Sequence, residues 1–65
     1  RLPVGAALSA LPEEHRAVLH LFAQAGLSAA EVADVLVISE EAARKRRQRA
    51  RSAFEAALHA PGGDA

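Results

Sequence analysis

The chain has 65 residues, of which 51% are hydrophobic and 25% charged, with eight basic side chains against eight acidic ones and no cysteine. A domain of this size buries only about 60% of its unfolded surface, and without cysteine it has no disulfide framework and no thiolate metal site, as fits a reducing compartment. No apolar run reaches the roughly 18 residues that span a membrane, and no signal peptide is visible. A start at Arg1 in place of Met is expected of a piece cut from a longer protein.

Alanine is abundant, and Val and Ile do not fall into alternating runs, so the chain reads as helical throughout. Leu2 to Leu11 is expected to hold a short helix with Leu8 and Leu11 on one side, weakened by Gly5. Pro12 suits the first position of a second helix, and Glu13 and Glu14 then sit at the positive end of its dipole. Val18, Leu19, Phe22 and Ala25 follow at helical spacing, with Leu21 alongside, and Gly26 suits a left-handed cap. Ser28-Ala29-Ala30-Glu31 is a capping box, S-x-x-E, with Leu27 and Val32 placed as a hydrophobic staple. The third helix runs to about Leu36 and buries Val32, Ala33 and Leu36. A turn at Val37 and Ile38 leads to Ser39, the next N-cap, with Glu40 and Glu41 in the first turn of a fourth helix that reaches about His59. The tail APGGDA, residues 60–65, is expected to be disordered.

These elements predict an all-α fold: a small four-helix domain over residues 1–59, with a C-terminal helix-turn-helix and a long recognition helix. The expected core is Leu8, Leu19, Phe22, Val32, Leu36, Ile38, Phe54 and Leu58. Within it, Phe54 and Leu58 are expected to close against Leu8, Leu19 and Phe22.

The neutral total hides a segregation. Residues 1–43 carry a net −4, residues 44–51 a net +6, and residues 52–65 a net −2. A block of Arg44, Lys45, Arg46, Arg47, Arg49 and Arg51 suggests an anionic partner, although charge runs on helices are more often plain solvated faces. At about 100° per residue, Ala43, Ala50, Phe54, Ala57 and Leu58 form one apolar stripe on the fourth helix. Glu41, Arg44, Lys45, Gln48, Arg49 and Ser52 lie opposite, with Arg46 and Arg51 on the flanks. In a helix-turn-helix the second helix enters the major groove. Arg and Lys suit guanine, Gln suits adenine, and Glu accepts from cytosine. Flanking cations would neutralise phosphates. Arg47 does not fit, because it projects into the apolar stripe. Either it snorkels along its stem to solvent or a carboxylate, or its unpaired burial costs several kcal/mol.

The stretch from Leu8 to Leu58 resembles region 4 of sigma-70 family sigma factors, most closely the extracytoplasmic-function type. The carrying residues are Leu11-Pro12, then Arg16, Val18 and Leu21, then the G-L-S-x-x-E-[IV]-A box at Gly26, Leu27, Ser28, Glu31, Val32 and Ala33. Ile38-Ser39 and the closing Arg49-Ala50-Arg51 complete the pattern. The resemblance implies a domain that reads the −35 element of double-stranded promoter DNA. It also implies docking on the β flap of core RNA polymerase, cover by an anti-sigma factor or other regulator, and a cytoplasmic bacterial setting. By position, the base-reading candidates are Glu41, Arg44, Lys45 and Gln48, and the phosphate candidates are Arg46, Arg49 and Arg51.

Three departures fall in the recognition element. Val37 stands where the family usually has Gly, so either the turn is remodelled or it carries strain of about 1–3 kcal/mol. Ala43 stands for a Val, and Arg47 for a Leu. The changes fit either an unusual −35 sequence or weakened DNA reading with protein docking retained. A pure protein-docking module is therefore the rival reading.

Other chemistries find no support. There is no Gly-rich phosphate loop or nucleophile elbow, and no catalytic residue or cofactor is assigned. His15 and His20 are five apart and do not share a helix face, so no metal site is assigned either. The fourth helix has a mostly alanine apolar side, which argues against a membrane-surface segment.

Overall fold

The computed structural model describes residues 3–59. The expected helix start at Leu2 and the expected disordered tail at 60–65 lie outside the described residues. Among those described, the chain is all-helical: α1 (Val4–Ser9), α2 (Glu13–Leu19) running directly into a π-helical turn (His20–Gln24), α3 (Ala29–Leu36) and α4 (Glu40–Leu58). The order is the one the sequence predicts.

Two starts are proline-led. Pro3 and Pro12 take extended dihedrals as N-caps, at φ −60, ψ 155 and φ −55, ψ 149. Pro12 thus stands one residue before the helix rather than at its first position. Its carbonyl accepts from the N–H groups of His15 and Arg16 at 3.0 and 3.2 Å.

The other two starts are serine-led. Ser28 Oγ accepts from the Glu31 N–H at 3.1 Å, and Glu31 Oε1 accepts from the Ser28 N–H at 2.8 Å, closing the capping box. Ser39 Oγ accepts from the Ala42 N–H at 3.0 Å. Each serine satisfies a donor that the first helical turn leaves without an intrahelical partner.

The π turn is absent from the sequence expectation. It closes with Ala25 N–H donating to the His20 carbonyl at 2.9 Å, one residue wider than an α turn. The extra residue turns the end of the helix about its axis, so Ala25 is exposed rather than part of the apolar stripe.

The core lies where α4 crosses α2 and α3. Ala7, Val18, Val32, Ala43 and Ala50 are buried almost completely, with Leu11 and Ala33 close behind. Of the eight core residues expected, only Val32 is fully buried. Leu8, Leu19, Phe22, Leu36, Ile38, Phe54 and Leu58 are half-buried. The reason is steric: alanines at the crossing points let the helices approach closely, and the larger side chains ring the contact instead of filling it. Leu21, Phe22, Leu27, Leu36 and Ile38 ring the cluster of Val32, Ala33 and Ala43. Phe54, Leu8 and Leu19 line one groove, whereas Phe22 packs on the first cluster.

The joint between α3 and α4 is a left-handed turn at Val37, with φ 58 and ψ 51. The Ile38 N–H donates to the Ala33 carbonyl at 2.9 Å, and the Val37 N–H to the Asp34 carbonyl at 3.3 Å. That pair of bonds is a Schellman closure, and Ile38 packs on the Ala33 cluster as such closures favour. The turn keeps the shape that glycine would give it. Val37 is 87% exposed, so burial of its side chain does not offset a left-handed cost of about 1–2 kcal/mol.

Candidate nucleic-acid interface

Helix α4 separates its two functions by face. Ala43 and Ala50 are fully buried against the other helices. Glu41, Arg44, Lys45, Gln48, Arg49 and Arg51 are exposed, and Arg46 is half-buried on the flank. The sequence-derived base-reading and phosphate candidates therefore share one helix, with Arg46 nearest the domain body. Serine capping and the acidic first turn at Glu40 and Glu41 hold the exposed end helical.

That end is internally paired. Arg44 bonds Glu40, and Lys45 Nζ lies 3.5 Å from Glu41 Oε2, both one helical turn apart. Pairs this exposed add about 0.3–0.5 kcal/mol each to the helix and yield readily to a competing anion. They leave the first two turns near neutrality. Among the described residues, Arg46, Arg47, Arg49 and Arg51 make no ion pair, so the net positive charge of α4 sits on four guanidiniums in its middle.

Arg47 resolves the misfit left by the sequence. It is exposed, and its guanidinium carbon lies 4.9 Å from the centroid of the Phe22 ring. The apolar position is real, because the ring there is half-buried. The charge escapes by lying on the ring face, a cation–π contact of about 0.5–1 kcal/mol at an exposed site. Among the described residues, no carboxylate pairs with it. An arginine in line with an apolar stripe is itself the signal for such an aromatic platform, but spacing alone does not say that the ring comes from the π turn.

One depression lies on this face and another on the side of the domain that α1 and α2 cover. A polar one of about 480 Å³ runs along α4 and is lined by Arg44, Arg47, Gln48, Arg51, Ser52 and Glu55. An apolar groove of about 470 Å³ lies between α1, α2 and α4. Val4, Leu8, Leu19, Ala23 and Phe54 form its floor, and Arg16, His20 and Gln24 its polar edge. Val4, Ala23 and Gln24 are not legible as groove residues in the sequence, since the groove is assembled from α1, α2, the π turn and α4. His20 Nδ1 and Gln24 Oε1 are 2.5 Å apart across one turn of that edge. No helix among the described residues is long and apolar enough to cross a membrane.

A short capped helix, a three-residue left-handed joint and a long cationic helix packed through alanines define a helix-turn-helix module of the DNA-binding class. The match to known families agrees. The family model for sigma-70, region 4, matches residues 1–54, and the chain belongs to that family. Membership places the domain in transcription initiation, with promoter DNA and RNA polymerase as the family's partners. No curated protein and no solved structure matches the chain significantly.

Proposed function

We propose that the domain recognises the −35 promoter element by laying the outward face of α4 in the major groove, as part of an extracytoplasmic-function type sigma factor in the bacterial cytoplasm. Glu41, Arg44, Lys45 and Gln48 meet base edges; Arg46, Arg49 and Arg51 meet phosphates. The observation that carries this reading is the division of α4, with Ala43 and Ala50 sealed against the body and the cationic set turned outward on a rigid helix. Arg and Lys in the reading set favour guanine-containing steps, and Gln48 suits adenine. Exchange of Glu40 and Glu41 for base or phosphate acceptors frees Arg44 and Lys45 at small cost, since both pairs are solvated.

The second reading is docking without sequence discrimination, on the polymerase β flap or an anti-sigma regulator. It is favoured by the same two ion pairs, which occupy the reading cations, and by the apolar groove at Leu8, Leu19 and Phe54. Binding to a panel of promoter fragments at two salt concentrations separates the two. Promoter reading requires one sequence to stay preferred at the higher salt. Equal binding to every fragment, lost steeply with salt, would support docking alone.

A further inference from the structure

We infer that Arg47 is an additional phosphate contact, presented by the Phe22 ring, and that the Arg47 and Arg51 side of the polar depression along α4 follows one strand of the duplex backbone while Arg44 and Gln48 face the bases. This rests on the promoter reading above and adds to it a residue and a rim of the interface.

Arg44, Arg47 and Arg51 line a single depression together with Gln48 and Ser52. Arg47 and Arg51 are one turn apart, about 6 Å along the helix axis. Lys45 and Arg49 project from the opposite side of the outward face. A helix in the major groove has a strand on each side, so a cationic rim on each side is what two-strand contact needs. Without Arg47, the rim beside the π turn would have, among the described residues, only Arg51 as a cation without an ion pair. Glu55 closes the C-terminal end of the depression, so a phosphate strand must leave the helix before that carboxylate.

The three cations of this depression are not equivalent. Arg44 reaches an anion only by exchanging Glu40. Arg51 is exposed and has no ion pair to fix it. Arg47 combines both useful properties: the Phe22 ring restrains it, and that partner is uncharged. The ring takes the face of the guanidinium and leaves its edge donors free for a bidentate phosphate contact. Phe22 is itself held against Val32, Ala33 and Ala43. The chain of support therefore runs from core to ring to guanidinium to phosphate. Less side-chain freedom is lost on binding than for an untethered arginine.

The test is equilibrium binding of the full chain to the preferred promoter duplex and to an unrelated duplex across a salt series, with thermal melting of every variant. Arg47→Leu keeps an apolar stem on the ring and removes the charge. It is expected to weaken both duplexes alike, by about five- to tenfold, and to lower the salt slope by about one. Phe22→Leu keeps the packing and removes the platform. It should weaken binding by about threefold with the slope retained, because the charge remains, and Phe22→Tyr should restore wild-type binding. Unchanged affinity and slope in Arg47→Leu, alongside a lowered slope in Arg49→Ala, would overturn the role of Arg47 and leave promoter reading intact. Absence of duplex binding by the unmodified chain would overturn promoter reading itself. Arg47 is exposed, so that variant decides the matter even if Phe22→Leu melts early.

Discussion

Residues 26–28 and 37–39 perform one task with different chemistry. Gly26 and Val37 both hold left-handed dihedrals, at φ 69 and φ 58. Leu27 and Ile38, the next residues in each case, both pack on the Val32, Ala33 and Ala43 cluster. Ser28 and Ser39 then cap the next helix through the N–H three residues on. The first joint closes from Leu27 N–H to the Leu21 carbonyl at 3.0 Å, the second from Ile38 N–H to the Ala33 carbonyl at 2.9 Å. The first spans one more residue because it leaves a π turn. Glycine adopts this conformation at no steric cost, whereas valine is strained there. The lesson is that the flanking bonds, the packed residue after the turn and the serine cap set the backbone. The residue at the turn only sets what that backbone costs.

Exchanging the residues puts the parallel between the joints under the greatest stress. A Cβ built on Gly26 meets nothing within 4 Å, so Gly26→Val should cost the dihedral strain less the chain entropy that valine removes, about 1 kcal/mol net. Chemical denaturation would show it as a lower midpoint with an unchanged slope. A loss much above that would mean that the first joint, unlike the second, cannot hold a side chain.

The caps of the two joints differ by a smaller amount. Ser28 takes part in two reciprocal bonds and Ser39 in one, since Ala42 offers no carboxylate in return. Ser28→Ala and Ser39→Ala each remove one Oγ acceptor and should each cost about 1 kcal/mol, while the Glu31 carboxylate still accepts from the residue 28 N–H. Glu31→Ala, which removes the reciprocal carboxylate and leaves Ser28 Oγ in place, should lower the melting temperature further, and an unchanged value would show that the Glu31 arm contributes nothing.

Relief of the strained turn is comparable in size to loss of the Ser39 cap and opposite in sign. Val37→Gly should stabilise the domain by about 1 kcal/mol after the added chain entropy of glycine is counted. At this size that raises the melting temperature by about 4–8 °C. An unchanged or lower melting temperature would mean that the valine conformation carries no net cost.

Much of this architecture is legible in the residues, for identifiable reasons. Both serine caps, the left-handed Gly26 and the division of α4 into two faces come from local rules that act within one helical turn. The π turn is not legible, because it depends on fitting both Leu21 and Phe22 to a cluster formed by α3 and α4. The size ranking of the core misleads for a related reason. Leucine and phenylalanine mark where apolar area is large, while burial is completed where Ala7, Ala43 and Ala50 let helices touch. Arg47 was recognisable as an oddity from its place in the stripe, yet its outcome required knowing which ring lay beside it. In the interface, the sequence could name the cations but not that Arg44 and Lys45 rest on their own helix's carboxylates.

The central claim is that α4 reads bases with its outward end and holds phosphates farther along. Selection of bound duplexes from a randomised pool at raised salt tests it, using the unmodified chain, Arg44→Ala and Arg49→Ala in parallel. The account requires a recovered sequence motif that Arg44→Ala alters at one position, worth about 1–3 kcal/mol of discrimination. Arg49→Ala should keep the motif and bind every duplex more weakly. No enriched motif, or a motif changed by Arg49→Ala and untouched by Arg44→Ala, would contradict it.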